Sequence, residues 1–332
     1  MNFPPVKKPY FSEDPKHESF WVKFLLGVMV ISSAILILAW PQTRSLELIV
    51  ALQQWRIFPV EFILRVFTFL GDDEFYMIFF SVLIWCFNKT LGFWGAFVLL
   101  TSGTLSNLIK DVTLLERPPV EGVTHPEGSY AHAFPSGHTL TAVTVWGYLA
   151  VRLKNKVFWI WTIAAVVIIA ISRMVLGYHY LGDILGGLAL GIAFLLFFLW
   201  LSNLFADKGW IEKFTTPALL VLSIAVPVLL VAVLPGSDPP KVLGYLAGAS
   251  FGYIIEKEKI QAAVKGSLPA QILKVLLGLA VLFGIIIGLG GLLPSAATHL
   301  GFIRYALGGV WVTLGAPALF IYLRLSVKEQ SG

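Results

Sequence analysis

The sequence predicts an all-α integral membrane protein with a six-helix core followed by about four additional transmembrane helices. Of the 332 residues, 57% are hydrophobic and only 13% are charged. The mean hydropathy is +0.82, and apolar runs of about 20 residues recur along the chain, as bilayer-spanning helices require. Soluble domains are about 45–50% apolar and about 25% charged. The composition therefore excludes a soluble globular domain.

Ten apolar runs in the sequence have roughly the length of a spanning helix. The first is longer than the apolar region of a signal peptide, and we interpret it as an uncleaved first helix. Residues 44–70 mix apolar residues with Arg and Glu, which is typical of helices lying at the membrane surface. The runs cover residues 21–40, 73–88, 91–112, 138–153, 157–174, 183–205, 215–234, 240–255, 271–292 and 302–323.

The distribution of Lys and Arg predicts the orientation of these helices. An even number of spans places both termini on one side, and a cytoplasmic N-terminus puts the larger share of basic residues in cytoplasmic segments. The predicted location is therefore the cell membrane, with both termini in the cytoplasm. This assignment explains the net charge of +5 without a nucleic-acid partner. It also places four helix ends on the extracytoplasmic face: the end of the third span, the start of the fourth, the end of the fifth and the start of the sixth.

The sequence divides near residue 207. Residues 1–206 form the predicted core, with an N-terminal cytoplasmic segment and six spans. Residues 207–332 form a C-terminal transmembrane extension, to which the sequence assigns no role. The single cysteine, Cys86, excludes an intrachain disulfide, and nothing in the sequence indicates the oligomeric state.

Three short segments of the core concentrate ionisable residues near predicted helix ends. Each such residue costs roughly 2.5–3.5 kcal/mol at the centre of a membrane helix, so it is rare without a function or a partner. Together they hold three cations, two histidines and one carboxylate, which suits a phosphate group. The segments are Lys110 with Arg117-Pro118, Pro135-Ser136-Gly137-His138, and Ser172-Arg173 with His179 and Asp183.

His179 and Asp183 are four residues apart, so on a helix they would share a face and their side chains could meet. A carboxylate bonded to one imidazole nitrogen fixes the tautomer and leaves the other nitrogen free to attack. The spacing therefore predicts a histidine nucleophile oriented by an aspartate. The alternative is that Asp183 only caps a helix and that His179 is an interfacial histidine.

Pro135-Ser136-Gly137-His138 begins the fourth predicted span, and the free N–H groups of a helix start form an anion site. Ser136 could add a hydroxyl donor, and Gly137 would let the backbone approach a phosphate closely. His138 would be placed to act as a general acid. The alternative is an ordinary N-cap serine after a proline turn.

Lys110 and Arg117 supply positive charge in the first segment. The planar guanidinium fork matches phosphate oxygens bidentately, and the lysine is a compact charge. The alternative is that both are ordinary cations at a helix end near the membrane surface.

The order Lys-x6-Arg-Pro, Pro-Ser-Gly-His and Ser-Arg-x5-His-x3-Asp resembles the signature of the type-2 phosphatidic acid phosphatase family. That family shares its site with the vanadium haloperoxidases and bacterial acid phosphatases. The match covers residues 110–183 without a departure at a signature position, and the six-span layout agrees with the family core. The resemblance implies that the six-helix core is a phosphatase core.

The resemblance also implies how phosphate would be bound. Lys110, Arg117 and Arg173 would hold the phosphate oxygens and balance the charge of the transition state. Ser136 and Gly137 would donate further hydrogen bonds. The sequence has neither a carboxylate cluster nor a Cys/His set of metal-ligand type, so three fixed cations would replace a metal, and no cofactor is expected.

The implied chemistry uses the remaining three residues. His179 would attack phosphorus to give a phosphohistidine, and Asp183 would orient it. His138 would protonate the leaving alcohol and then activate water to hydrolyse the intermediate.

We therefore expect a lipid phosphate phosphatase that acts on a phosphomonoester or diphosphate at the outer face of the membrane. Candidate substrates are phosphatidic acid, phosphatidylglycerophosphate, a prenyl phosphate or diphosphate, and a sphingoid-base phosphate. The extra C-terminal spans look like the extended layout of sphingosine-phosphate phosphatases. The alternatives are a lipid phosphotransferase that uses the same phosphohistidine, and a transporter built on a phosphatase-like core.

Three further features are predicted to be structural. Asp72-Asp73-Glu74 precedes the second span and should cap it electrostatically. Gly244, Gly248 and Gly252 repeat every four residues and predict close helix packing. Glu256, four residues further on, is expected to end the helix on its inner side.

Overall fold

A computed structural model describes residues 15–121, 123, 132–209, 213–234, 239–294 and 298–329. Within these ranges, strand pairing is limited to an isolated bridge between Ala262 and Lys328. The all-α class is therefore confirmed. Most of the predicted N-terminal cytoplasmic segment lies outside the described residues.

The helices follow one another with short connections. In chain order the described residues form α1 (Pro15–Leu38), α2 (Trp40–Thr43), α3 (Leu46–Gln53), α4 (Phe58–Phe69), α5 (Asp73–Val82), α6 (Lys89–Thr113), α7 (Gly137–Leu153), α8 (Lys156–Val175), α9 (Leu181–Lys208), α10 (Thr216–Val233), α11 (Pro239–Ile255), α12 (Leu268–Ile286), α13 (Thr298–Val310) and α14 (Ala316–Tyr322). Wider π-helical turns extend α5 through Leu83–Phe87, extend α11 through Glu256–Ile260, and join α13 to α14 through Trp311–Gly315.

All ten predicted runs are helical, and the chain is an integral membrane protein. Seven described helices are long and apolar enough to cross a bilayer. The runs predicted at 73–88, 138–153 and 240–255 correspond to α5, α7 and α11, which have 10, 17 and 17 residues. These three helices are shorter and are not among the seven. Length and hydropathy support seven spans: Phe20–Leu38, Lys89–Thr113, Lys156–Val175, Leu181–Lys208, Thr216–Val233, Leu268–Gly290 and Thr298–Tyr322.

The amphipathic stretch at 44–70 forms helices α3 and α4, as the sequence predicts. Ser45 is the N-cap of α3, and its side chain accepts a hydrogen bond from the N–H of Leu48. Pro59 lies in the first turn of α4, where its missing N–H costs no helical hydrogen bond. Phe58 and Phe62 of α4 are 83% and 60% exposed.

The chain forms two compact units. One contains the residues up to Phe75 and those from Thr101 to Glu212, and the other contains Tyr76–Leu100 and the residues from Lys213 onward. The single boundary predicted near residue 207 assigned Tyr76–Leu100 to the core. In the structure these residues pack with the C-terminal helices, for example through a hydrogen bond from Trp85 Nε1 to the carbonyl of Val312 at 2.8 Å.

Helix α7 lies at the centre of the first unit. Every residue from Thr139 to Ala150 is buried. Two glycines of α9 allow its close approach, because a Cβ at Gly187 would lie 2.8 Å from the carbonyl oxygen of Ser136. A Cβ at Gly191 would lie 3.0 Å from the carbonyl oxygen of Leu140. The start of α7 is thereby held against the first turns of α9.

In the second unit, α11 and α13 pack through the glycine series. A Cβ at Gly244 would collide with the backbone of Phe302, and one at Gly248 would collide with the backbone of Ala306. At Gly252 the collision would be with the side chain of Thr313. The predicted close packing is confirmed and occurs within the chain.

Glu256 does more than end a helix, in contrast to the sequence-based expectation. It is 2% exposed, and its Oε1 accepts hydrogen bonds from Lys89 Nζ at 2.8 Å and from the N–H of Ala262 at 2.9 Å. The i, i+4 spacing could not indicate this role, because Lys89 is 167 positions away. The ion pair joins the start of α6 to the segment that follows α11.

We expect Glu256→Ala to destabilise the protein by about 2 kcal/mol, since the largely buried ammonium group of Lys89 loses its partner at 2.8 Å and keeps the more exposed Glu329 at 3.5 Å, while the N–H of Ala262 loses its acceptor. Thermal unfolding of the purified protein in detergent measures the effect. Glu258→Ala is the matched control, because Glu258 is more exposed and its ion pair with Lys259 is longer, at 3.6 Å. Equal unfolding temperatures for the two variants would contradict the prediction.

Candidate active site

The structure brings the three polar segments together in the first unit. Six of the eight predicted residues are at most 8% exposed. They come from the end of α6, the loop after it, the start of α7, the end of α8, the α8–α9 loop and the first turn of α9: Lys110, Arg117, Ser136, Gly137, His138, Arg173, His179 and Asp183.

His179 and Asp183 meet, although not on one helical face as the spacing predicted. His179 lies in the loop before α9, whose N-cap is Tyr180. Its Nδ1 is 3.5 Å from Asp183 Oδ2, which is long for a hydrogen bond. Oδ2 also accepts a 2.8 Å hydrogen bond from the N–H of Tyr180. Asp183 therefore both caps α9 and faces the histidine.

The loop between α8 and α9 ties His179 to Arg173. The N–H groups of Tyr178 and His179 both donate to the carbonyl of Arg173, at 2.9 and 3.2 Å. Gly177 has φ +80°, a left-handed conformation that glycine adopts without steric cost. The turn places the imidazole beside the end of α8.

Arg117 fixes the tautomer of His179. Its Nη1 donates to the carbonyl of Tyr178 at 2.9 Å and lies 3.2 Å from His179 Nε2. A guanidinium has donors only, so Nε2 must present its lone pair, and the ring proton is on Nδ1, toward Asp183. This tautomer leaves Nε2 as the nucleophilic atom.

The surroundings keep His179 neutral. Burial, followed by the positive charges of Arg117, Arg173 and Lys110, holds its pKa well below the ordinary value. Burial also lowers the pKa of Arg117 to about 10, so this guanidinium stays charged at neutral pH. The site therefore combines an uncharged imidazole with fixed cations.

Lys110 reaches the start of α7. A Cβ at Gly137 would lie 3.4 Å from Lys110 Nζ and 3.5 Å from Ser106 Oγ, so the ammonium group lies within van der Waals distance of the position above this glycine. The helix start carries free backbone N–H groups. Ser106 is 1% exposed, and among the described residues its hydroxyl has no hydrogen-bond partner. Sequence reasoning missed this serine, which lies one helical turn before Lys110.

Arg173 is held in place but keeps a free donor. Its Nη1 donates to Thr68 Oγ1 at 3.1 Å, and its guanidinium carbon lies 4.2 Å from the ring centre of Tyr178. Its Nε finds no acceptor within the part of the chain that the structure describes. A buried donor of this kind is costly unless an acceptor is supplied, and a phosphate oxygen would supply one.

Ser136 is the N-cap of α7, but its side chain makes no capping hydrogen bond. Its Oγ instead accepts a 3.1 Å hydrogen bond from Thr139 Oγ1. Its backbone N–H donates to the carbonyl of Asp183 at 2.9 Å. The hydroxyl hydrogen of Ser136 can therefore still be donated to a ligand.

Asp72 is a site residue that the sequence assigned to helix capping. Its Oδ1 lies 2.6 Å from His138 Nε2, so the structure contains a second histidine–aspartate pair. A Cβ at Gly71 would lie 2.9 Å from His138 Cδ2, so the glycine permits this approach. The sequence places Asp72 at the predicted outer end of the second span, on the same face as the motifs. This shared face is the feature of the sequence that could have identified Asp72 as a site residue.

Arg44 is a third residue whose role the sequence analysis missed. Its Nη1 donates to Asp183 Oδ1 at 2.7 Å, and its Nη2 donates to the carbonyl of Glu116 at 2.7 Å. The sequence offered only its place just after the first span.

Among the described residues, no group of three or more His, Cys, Asp or Glu side chains is arranged to hold a metal ion.

The sequence profile of the PAP2 superfamily matches residues 91–207. The profile described as PAP2 superfamily phosphatase, transmembrane extension, matches residues 240–329. The chain contains a PAP2 superfamily domain and its transmembrane extension. The first match contains all eight predicted site residues, and the second accounts for the helices from α11 onward.

Two curated relatives carry lipid phosphatase names. One, from Bacillus subtilis (strain 168), is called phosphatidylglycerophosphatase B and is 36% identical over 132 residues. The other, from Arabidopsis thaliana, is called lipid phosphate phosphatase delta and is 28% identical over 176 residues. The matches cover 36% and 46% of this PAP2 chain, and 59% and 42% of the relatives.

A solved structure is also similar. It is the crystal structure of the first transmembrane PAP2 type phosphatidylglycerolphosphate phosphatase from Bacillus subtilis. The match has a TM-score of 0.43 at 22% sequence identity, and it covers 58% of this chain and 97% of the solved chain.

Proposed function

We propose that this PAP2 protein is a metal-independent lipid phosphate phosphatase that acts through a phosphohistidine. The observation that supports this most directly is the environment of His179. Its Nε2 carries a lone pair, its Nδ1 faces Asp183, and Arg117 lies beside it. A neutral, oriented imidazole among buried cations suits attack on a phosphate ester.

In the first step, phosphate replaces His179 Nε2 as the hydrogen-bond acceptor of Arg117. Phosphate entering the site accepts hydrogen bonds from Lys110, Arg117 and Arg173, so Nη1 of Arg117 leaves His179 Nε2. The freed lone pair of Nε2 attacks phosphorus in line, and the bond from phosphorus to the ester oxygen breaks. His138, whose protonated form is stabilised by Asp72 and by the bound phosphate dianion, gives its proton to the leaving alkoxide. The products are the lipid alcohol and a phosphohistidine.

The second step returns the enzyme to its starting state. His138, now neutral, accepts a proton from water while the water oxygen attacks phosphorus. The bond from phosphorus to Nε2 breaks, inorganic phosphate leaves, and His138 is protonated again. Asp72 holds the imidazole of His138 throughout.

The cations act on charge that develops in the transition state. Three buried positive groups repel one another, and a bound phosphate dianion relieves that repulsion. Preorganised charges aimed at developing negative charge are usually the largest catalytic contribution. Guanidinium and ammonium groups here take the place that metal ions fill in other phosphatases.

The substrate class follows from the membrane location and the relatives. The reacting phosphate would approach at the outer ends of the spans, while the lipid tails remain in the bilayer. The names of the relatives refer to phosphatidylglycerophosphate and to lipid phosphates, which supports a glycerolipid or similar lipid phosphate. We place the site on the extracytoplasmic face and both termini in the cytoplasm, from the distribution of basic residues.

We expect the purified protein to release inorganic phosphate from at least one lipid phosphate in the presence of EDTA, because the cations belong to the chain. His179→Ala should lower the rate by at least about 10⁴-fold, since it removes the nucleophile. A panel of lipid phosphates in mixed micelles measures both.

The control for this experiment is His299→Ala, which replaces an exposed histidine outside the site. Retained turnover in His179→Ala would exclude the phosphohistidine mechanism. Phosphate release that depends strictly on an added alcohol acceptor would favour the phosphotransferase instead.

We expect Asp72→Asn to lower the rate of phosphate-ester cleavage most for substrates whose leaving group needs a proton from a general acid. Alkyl phosphates have poor leaving groups, so the variant should lose about tenfold to hundredfold in kcat/KM on them, since this ratio reports the phosphorylation step and not the later hydrolysis. The loss in kcat/KM on p-nitrophenyl phosphate should be small, because nitrophenolate leaves without a proton.

Steady-state rates on the two substrate types test this, with Asp73→Asn as the matched control in the adjoining position. Equal losses on both substrate types would show that Asp72 does not act through proton transfer to the leaving group.

A further inference from the structure

We infer that Arg44 is a positioning residue that sets the distance between the nucleophile, its aspartate and the phosphate-binding arginine. The inference rests on the proposed function and adds a residue that lies outside the three motifs. Arg44 follows the four-residue helix α2, 66 positions before Lys110 in the sequence. Its role follows from what its two terminal nitrogens contact.

The guanidinium of Arg44 bridges two of the motif segments. Nη1 donates to Asp183 Oδ1 and Nη2 donates to the carbonyl of Glu116, each at 2.7 Å. Glu116 directly precedes Arg117, whose Nη1 lies 3.2 Å from His179 Nε2. One side chain therefore ties the aspartate that faces His179 to the backbone that carries Arg117.

The bridge also decides which carboxylate oxygen faces the nucleophile. Arg44 occupies Oδ1 of Asp183, and Oδ2 accepts from the N–H of Tyr180. Oδ2 is the oxygen 3.5 Å from His179 Nδ1. Without Arg44, the buried Oδ1 would lose the hydrogen bond that Arg44 donates. If the carboxylate then rotated to find another donor, Oδ2 would turn away from His179.

The position of Arg44 is itself well defined. Its guanidinium carbon lies 5.6 Å from the ring centre of Trp40 and 4.5 Å from that of Tyr180. Its side chain is 16% exposed. A Cβ at Gly182 would lie 2.8 Å from Thr43 Oγ1 and 3.5 Å from Arg44 Cγ, so this glycine lets α2 approach α9. These contacts hold the fork in the plane that both acceptors require.

We do not assign Arg44 to phosphate binding, because among the described residues its two terminal nitrogens are already hydrogen-bonded to Asp183 and to the carbonyl of Glu116. Its effect is therefore expected on turnover and not on the affinity for a phosphate-like anion. This separates it from Lys110, Arg117 and Arg173, which should affect both.

The test compares Arg44→Gln and Arg44→Lys with Arg56→Gln. Arg56 is a matched control, because it lies in the same segment and its side chain donates to Glu61, outside the site. Each protein is assayed for kcat and KM on a lipid phosphate, for inhibition by orthovanadate, and for thermal unfolding.

We expect Arg44→Gln to lower kcat by about tenfold to hundredfold, the range expected for a misplacement of about 1 Å. Its inhibition constant for orthovanadate should stay within about threefold of the unsubstituted protein. Arg44→Lys should regain only part of kcat, because one ammonium group cannot reach both acceptors in the geometry of a planar fork. Arg56→Gln should retain full activity.

Four results would overturn the inference. They are an unchanged kcat in Arg44→Gln, an equal loss of kcat and orthovanadate inhibition, a full rate in Arg44→Lys, and failure of both Arg44 variants to fold. The last would make Arg44 a residue needed for folding. If neither the unsubstituted protein nor Arg56→Gln releases phosphate, the proposed function has failed, and the role of Arg44 falls with it.

Discussion

The carboxylate of Asp183 holds the candidate site together, because groups from three parts of the chain converge on this residue. Its Oδ1 accepts from Arg44, and its Oδ2 accepts from the N–H of Tyr180 and faces His179. Its backbone carbonyl accepts from the N–H of Ser136. A carboxylate with 0% exposure is stable only when its lone pairs are satisfied. The surrounding helices must therefore keep all of these partners in place.

Close helix packing provides that constraint. Gly187 and Gly191 bring α9 against the backbone at the start of α7, and Gly182 brings it against the end of α2. A side chain at these positions would meet backbone or a buried threonine and would push the helices apart. The positions of Ser136 and Arg44 relative to Asp183 thus depend on residues that have no polar group themselves.

The sequence predicted the fold class, the helix positions and the eight motif residues, because these follow from hydropathy and from local motifs. It did not predict the roles of Arg44, Thr68 and Asp72. Their contacts to Asp183, Arg173 and His138 span 139, 105 and 66 positions. Span parity could place such residues on one face of the membrane, but only tertiary packing selects which of them touch.

The grouping of Tyr76–Leu100 with the C-terminal helices was also beyond the sequence, and for a related reason. Apolar runs define where a helix can exist but carry no information on its neighbours. Here a few specific groups decide the pairing, such as Trp85 Nε1 on the carbonyl of Val312 and Lys89 on Glu256. Each of these groups is an ordinary residue of a membrane helix when considered alone.

The two histidine–aspartate pairs differ in the exposure of their side chains, and the difference supports the proposed division of roles. The side chains of His179 and Asp183 are 2% and 0% exposed, whereas those of His138 and Asp72 are 23% and 34% exposed. A nucleophile gains from a dry site, because water would screen the cations that bind the phosphate. A general acid that later activates water must be reached by a water molecule. With the roles exchanged, that water would have to reach the buried pair, so the difference in exposure favours attack by His179 and proton transfer by His138.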